Sequence, residues 1–110
     1  MLARLVRFGL APGSRERFEA LAAELRPLIE GRPGCRGATF FGDDTAGEWG
    51  MFVLWASQED ADGAAAMMRP RLDEHLRGHL AAPPDTRVFG VVEGASASAV
   101  PAAPAPRGGR

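Results

Sequence analysis

The chain has 110 residues, 45% of them hydrophobic, 25% charged and 7% aromatic, a size that accommodates one compact domain and not two of ordinary size. Its net charge of -1, from 13 basic and 14 acidic residues, argues against nucleic acid or an anionic membrane as a partner. No segment approaches the ~18 apolar residues of a membrane span, and the N-terminus has no leader-like pattern, so a cytoplasmic location is expected.

Leu2 to Leu10 (LARLVRFGL) alternates and is stopped by Ala11-Pro12-Gly13-Ser14, which predicts a strand and a turn, with Ser14 as the cap of a helix. In that helix Phe18, Leu21, Ala22, Leu25, Leu28 and Ile29 share one face, Pro27 should bend the axis, and Gly31 with Pro33 should end it. Cys35 to Asp43 and Glu48 to Ala56 are strand-like and joined by Asp44-Thr45-Ala46-Gly47, the form of an antiparallel hairpin. Ser57-Gln58-Glu59-Asp60 is a capping-box variant that opens a second helix. Ala61, Ala65, Met68, Leu72, Leu76 and Leu80 extend its apolar face to about residue 81, Pro70 should kink or split it, and Pro83-Pro84 should close it. Asp85 to Glu93 returns as a strand.

The order β-α-β-β-α-β predicts an α+β, ferredoxin-like fold, a four-stranded antiparallel sheet with both helices on one face, over residues 1–93. Residues 94–110 (GASASAVPAAPAPRGGR) hold too little apolar area to offset their ordering entropy and are expected to be a disordered tail. Alternation puts apolar residues on both sheet faces: Met51, Val53 and Trp55 against Phe52 and Leu54, and Val88 and Val92 against Phe89 and Val91. Two helices cover only one face, so the other is expected to pack against a second copy in a homodimer.

All basic side chains are Arg, and Lys, Asn and Tyr are absent, which excludes a Schiff-base lysine, a tyrosine acid and an asparagine oxyanion donor. The single Cys35 makes no intramolecular disulfide, and it has no base near it in sequence. His75 and His79 are the two histidines, spaced i, i+4 near the apolar stripe of the second helix. They are the side chains whose unperturbed pKa suits deprotonation near neutrality. They lack a third ligand of suitable spacing, so no metal is expected. Arg4 and Arg7 have opposite orientations on the first strand, one toward the helices and one toward the dimer side. Each is either paired, with Glu48 or Glu93 as candidates, or serves an anion.

Several segments together resemble the antibiotic biosynthesis monooxygenase family. They are Ala3-Arg4-Leu5-Val6-Arg7-Phe8 with Pro12-Gly13 and Phe18, Pro33-Gly34-Cys35-Arg36-Gly37, and Leu54-Trp55-Ala56-Ser57 with Glu59-Asp60. Met68, Pro70, Leu72 and Phe89-Gly90-Val91-Val92-Glu93 complete the pattern. The resemblance spans residues 2 to 93 and implies a dimeric α/β barrel. It also implies oxygenation of a small aromatic, quinol or polyketide-like substrate without a cofactor: a base removes a proton, the resulting anion is stabilised, and it passes an electron to oxygen in a dry pocket between sheet and helices.

On that reading His75 or His79 is the base, Arg7 or Arg4 the anion stabiliser, and Trp55 an aromatic wall with an indole donor. Phe8, Phe40, Phe52, Met67 and Met68 are pocket lining. The sequence departs from the cofactor-free members in lacking Asn and Tyr, with Met51 four residues before Trp55 where an asparagine could stand. A noncatalytic small-ligand-binding or structural dimer of the same fold is therefore the alternative. A haem-degrading oxygenase ranks third, because Arg7-Phe8 and Ala64-Ala65-Ala66 stand where that branch has an asparagine and a tryptophan. A cavity touching both Trp55 and a histidine would favour the enzyme, and one filled by Phe and Met the noncatalytic form.

Overall fold

The computed structural model describes residues 1–93, so the expected tail, residues 94–110, lies outside the described residues. Its elements are β1 (Leu2–Gly9), α1 (Arg15–Glu30), β2 (Cys35–Asp43), β3 (Glu48–Trp55), α2 (Gln58–Leu76) and β4 (Asp85–Gly90), in the predicted β-α-β-β-α-β order. The strands form one antiparallel sheet in the order β2-β3-β1-β4, the ferredoxin-like arrangement. Register is continuous along β1, from Leu2 opposite Trp55 to Gly9 opposite Glu48 on one side, and from Leu2 opposite Gly90 to Arg7 opposite Asp85 on the other.

Local chemistry accounts for the joints. In the β2–β3 hairpin the Asp43 carboxylate accepts the N–H groups of Thr45 (2.9 Å) and Ala46 (3.2 Å), and Gly47 supplies the positive φ that closes the turn. Ser57 caps α2 as expected: its Oγ accepts the Asp60 N–H at 3.1 Å and donates to the Asp60 carboxylate at 2.9 Å. Ser14 precedes α1 without a side-chain cap bond. Its Oγ turns back to donate to the Ala11 carbonyl at 2.6 Å, so it secures the β1–α1 turn instead of the helix donors.

Both helices run through their prolines. Pro27 and Pro70 sit on solvent faces, and the carbonyls they leave free, at Ala23 and Ala66, belong to exposed residues that water can satisfy. The expected split of α2 at Pro70 therefore does not occur. The helix ends earlier than Pro83-Pro84, at Leu76, because Gly78 takes φ +81° and the His79 N–H bonds back to the Leu76 carbonyl at 2.8 Å. Residues 79–81 then pair with 9–11: the Ala11 N–H donates to the His79 carbonyl (2.9 Å), the Ala81 N–H to the Gly9 carbonyl (2.8 Å), and Leu10 faces Leu80. β4 is also shorter than expected, ending at Gly90.

The core lies between the sheet and the helices. It takes Phe18, Leu21, Leu25 and Ile29 from α1, Ala61, Ala64, Met68 and Leu76 from α2, and Val6, Phe8, Trp49, Met51, Val53 and Trp55 from the sheet. Leu28, expected on the buried face of α1, is exposed. The opposite sheet face carries Leu5, Phe41, Phe52, Leu54 and Phe89, of which Phe41, Phe52 and Phe89 remain about two-fifths exposed (38%, 37% and 44%). No helix is long and apolar enough to cross a membrane among the described residues.

Candidate functional site

The two halves of the helix–sheet interface are filled differently. Under α1, Phe18 gathers rings from three strands: Phe8 at 5.9 Å between centroids, Phe40 at 6.1 Å and Trp49 at 5.0 Å. Such tilted and edge-on packing fills the space around Phe18, and an open groove of about 540 Å³ lies beside it, between Ala22, Ala23 and Arg26 of α1 and Ala38 and Phe40 of β2. Under α2 the sheet is met by two small side chains, the buried Ala64 and the partly buried Ala65, and side-chain volume runs short. A cavity of about 280 Å³ results, between α2, β1 and β4, open to solvent at one side. Its walls are Val6, Ala65, Met68, Leu72, Leu76, Leu80, Pro84 and Thr86, and it is mostly apolar.

Charge enters this apolar space from two elements. Arg4 projects from β1 on the helix-facing side, in line with Val6 and Phe8, and is half-buried. Arg69, Asp73 and Arg77 approach from α2. Asp73 and Arg77 form an i, i+4 ion pair, so they largely cancel one another. Arg4 and Arg69 have no carboxylate within salt-bridge distance among the described residues. Burial, and then the charge of Arg69, hold the Arg4 guanidinium below its ordinary pKa, against a smaller opposing effect of Asp62. It remains a cation, poorly solvated and unpaired. Such a group stabilises an anion that enters the cavity.

Of the residues expected at the site, Arg4 and Met68 line this cavity. Phe8 and Phe40 are consumed by the Phe18 cluster, and Met67 packs against the core. Phe52 lies on the opposite sheet face. Trp55 is fully buried, with its indole N–H unpartnered among the described residues, and does not line the cavity. Arg7 also faces away from the helices and pairs with Asp85 at 3.3 Å, not with Glu48 or Glu93.

The histidines are separated from each other and from the cavity lining. His75 points toward α1, where its Nε2 meets the Glu24 carboxylate at 2.7 Å. The other oxygen of Glu24 accepts Arg71 at 2.9 Å. The bonds from His75 and then Arg71 hold the Glu24 carboxyl below the usual carboxylate range. An Arg17 guanidinium N–H donates to the His75 carbonyl at 3.3 Å, so α1 grips the end of α2 twice. His79, expected one turn beyond His75, lies past the helix end, and Gly78 turns it out of the helical register.

Arg69, Thr86 and Asp73 are lining residues that the expectation omitted. Thr86 was legible as the residue that alternates with Val88 on β4, and Arg69 and Asp73 as the positions flanking the Met68–Leu72 stripe. Among the described residues no group of three or more His, Cys, Asp or Glu side chains is placed to hold a metal ion.

The model of the family described as antibiotic biosynthesis monooxygenase matches residues 1–67, more than half of the chain. The chain belongs to the antibiotic biosynthesis monooxygenase family. The matched span runs from β1 into α2, and so includes Arg4, the aromatic cluster and Trp55.

Solved structures with the fold of this family superpose over most of the chain. Rv0793 from Mycobacterium tuberculosis gives a TM-score of 0.74 at 21% identity, covering 86% of this chain and 98% of that one. NE2512, a protein of unknown function from Nitrosomonas europaea, gives 0.70 at 21% identity, covering 97% and 95%. SnoaB from Streptomyces nogalater, described as a cofactor-independent oxygenase, gives 0.65 at 16% identity, covering 84% and 94%. At these identities the likeness is one of fold. No curated protein matches the sequence.

Proposed function

We propose that this member of the antibiotic biosynthesis monooxygenase family binds a small aromatic, quinol or polyketide-like compound under α2 and oxygenates it without a cofactor. The observation that carries this reading is Arg4, a half-buried cation without an ion-pair partner among the described residues, in a cavity whose walls are mostly apolar. The name of the similarly folded SnoaB points the same way.

A guanidinium beside a bound phenol or enol lowers that group's pKa, so the proton leaves to solvent, and the anion stays paired with Arg4. The anion transfers one electron to O2, the two radicals combine at carbon, and the hydroperoxide loses water. For an anthrone the balance is one O2 consumed, a CH2 converted to C=O and one H2O released. Since neither histidine lines the cavity, His75 serves by fixing the end of α2 through Glu24, and so holds the wall formed by Leu72 and Leu76.

Oxygen uptake with a panel of anthrones and quinols tests the reading. The wild type should consume O2, Arg4→Met should lose most of the rate, and His75→Ala with His79→Ala should leave part of it. No uptake with any member of the panel would refute it. The noncatalytic alternative has one observation in its favour, that the cavity touches neither Trp55 nor a histidine. It predicts saturable binding of the same panel with no uptake.

We also infer that two copies pair through the outer sheet face, where Phe41, Phe52 and Phe89 stand exposed. Sedimentation at micromolar concentration should give a dimer, and Phe52→Glu a monomer. A monomeric wild type would exclude the pairing.

A further inference from the structure

The arginines that α2 presents are treated unequally by the fold. Arg71 is paired with Glu24 and Arg77 with Asp73, each within the protein. Asp62, whose charge reaches Arg4, stands beyond ion-pair distance from it and accepts the Gln58 side-chain amide at 2.8 Å. Arg4 and Arg69 border the same cavity from opposite walls, β1 and α2, and no carboxylate of the described residues answers them. Counting the lining, three arginines face one aspartate.

Two like charges brought to one cavity repel each other, and Arg69 does press on the charge of Arg4. The fold gains nothing from that arrangement unless an anion completes it. A carboxylate fits a planar guanidinium fork better than any neutral acceptor does. The remaining walls, Val6, Met68, Leu72 and Leu76, call for hydrocarbon, which disfavours a sugar phosphate or another strongly hydrated body. A volume of about 280 Å³ sits at the small end of the range for ligand pockets, so the body is of one to three fused rings.

Resting on the reading above that this cavity is the ligand site, we infer that its ligand is an aromatic carboxylic acid whose carboxylate is held between Arg4 and Arg69. The acid is then a recognition handle next to the phenol or enol that reacts, Arg69 holding the carboxylate alone and Arg4 bridging the carboxylate and the reacting oxygen. It lets the protein select acidic ring compounds over the neutral quinols and anthrones of the same size.

Calorimetric titration of the full chain tests this without depending on turnover. The probes are benzoic acid, 1-hydroxy-2-naphthoic acid and 9-anthracenecarboxylic acid, each beside its carboxamide, with naphthyl phosphate as a further arm. At least one acid should bind about tenfold or more tightly than its amide, as a charge-assisted contact requires, and the preference should shrink as salt rises. Arg69→Gln, at an exposed position where folding is not at stake, should remove most of that preference by weakening the acid far more than the amide. Arg4→Gln should do the same.

Equal binding of acid and amide, no binding by any acid, equal weakening of both by Arg69→Gln, or tighter binding of the phosphate would each overturn the inference. Acid binding without oxygen uptake would sink the oxygenase reading and leave this one standing. Oxygenation of neutral quinols with no preference for acids would do the reverse.

Discussion

The aromatic packing around Phe18 under α1 hinges on a residue with no side chain. Gly42 lies opposite Trp49 in the β2–β3 register, and a Cβ added there would fall inside the indole, against Cε3 and Cζ3. The ring has no room to retreat, because Phe18 stands 5.0 Å from it and the Arg15 guanidinium 5.7 Å. Gly42→Ala must therefore lever a buried tryptophan out of its place.

Overpacking costs about 1–3 kcal/mol, the loosened Trp49–Phe18 pair about 0.5–1.5 and the weakened cation–π contact about 0.5–1. Removal of a flexible glycine returns about 0.5–1 kcal/mol through the unfolded chain. The net expectation is a loss of about 3 kcal/mol, read as a lower urea midpoint with a reduced near-ultraviolet tryptophan signal. The Trp49→Leu background isolates the cause: there the same substitution should be neutral or slightly stabilising. An equal loss in both backgrounds, with a coupling energy under about 0.5 kcal/mol, would refute the account.

Ser57→Ala removes the cap that accepts the Asp60 N–H and should cost about 1 kcal/mol by urea titration; an unchanged midpoint would show that α2 is held by its packing alone. The Glu24 carboxyl has its pKa depressed in the folded state, by His75 and then by Arg71. Its contribution is therefore full above the ordinary carboxylate range and lost as pH falls through and below it. The urea midpoint should accordingly drop less steeply on acidification in Glu24→Gln than in wild type, and parallel profiles would remove Glu24 from the acid limb. Arg4→Met takes away a half-buried, unpaired cation and should raise the midpoint while weakening ligand binding; a lowered midpoint would show that the fold itself satisfies the guanidinium.

Most of the fold was legible because its signals are local. The alternation of β1 and β3, the Asp43 turn with Gly47 and the Ser57 cap each report on neighbours within a few residues, and each appears where its pattern stands. The readings that failed are those in which a local rule met its surroundings. Pro70 breaks a helix only if the lost hydrogen bond cannot be replaced, and here Ala66 faces water. The end of α2 was written in Gly78, a single residue able to take positive φ, and not in the more conspicuous Pro83-Pro84. Because the helix stops first, the i, i+4 spacing of His75 and His79 has no geometric meaning.

The site was less legible, since a cavity is a difference between volumes supplied by separate elements. Alternation assigns Phe8, Phe40 and Trp49 to the inner face of the sheet, and all three do point inward. What it cannot assign is their common partner, Phe18, which draws all three under α1 and leaves none for α2. Two features of the sequence do mark the place once volume is weighed alongside hydrophobicity. One is the pair Ala64-Ala65, too small to fill the space above the sheet. The other is Arg4, the one charged residue in the inward series Leu2, Arg4, Val6, Phe8. Where a helix face falls short of volume and the strand beneath it breaks its apolar pattern with an arginine, the two irregularities explain one another. The missing volume and the missing counter-charge are what the proposed anionic ligand would supply together.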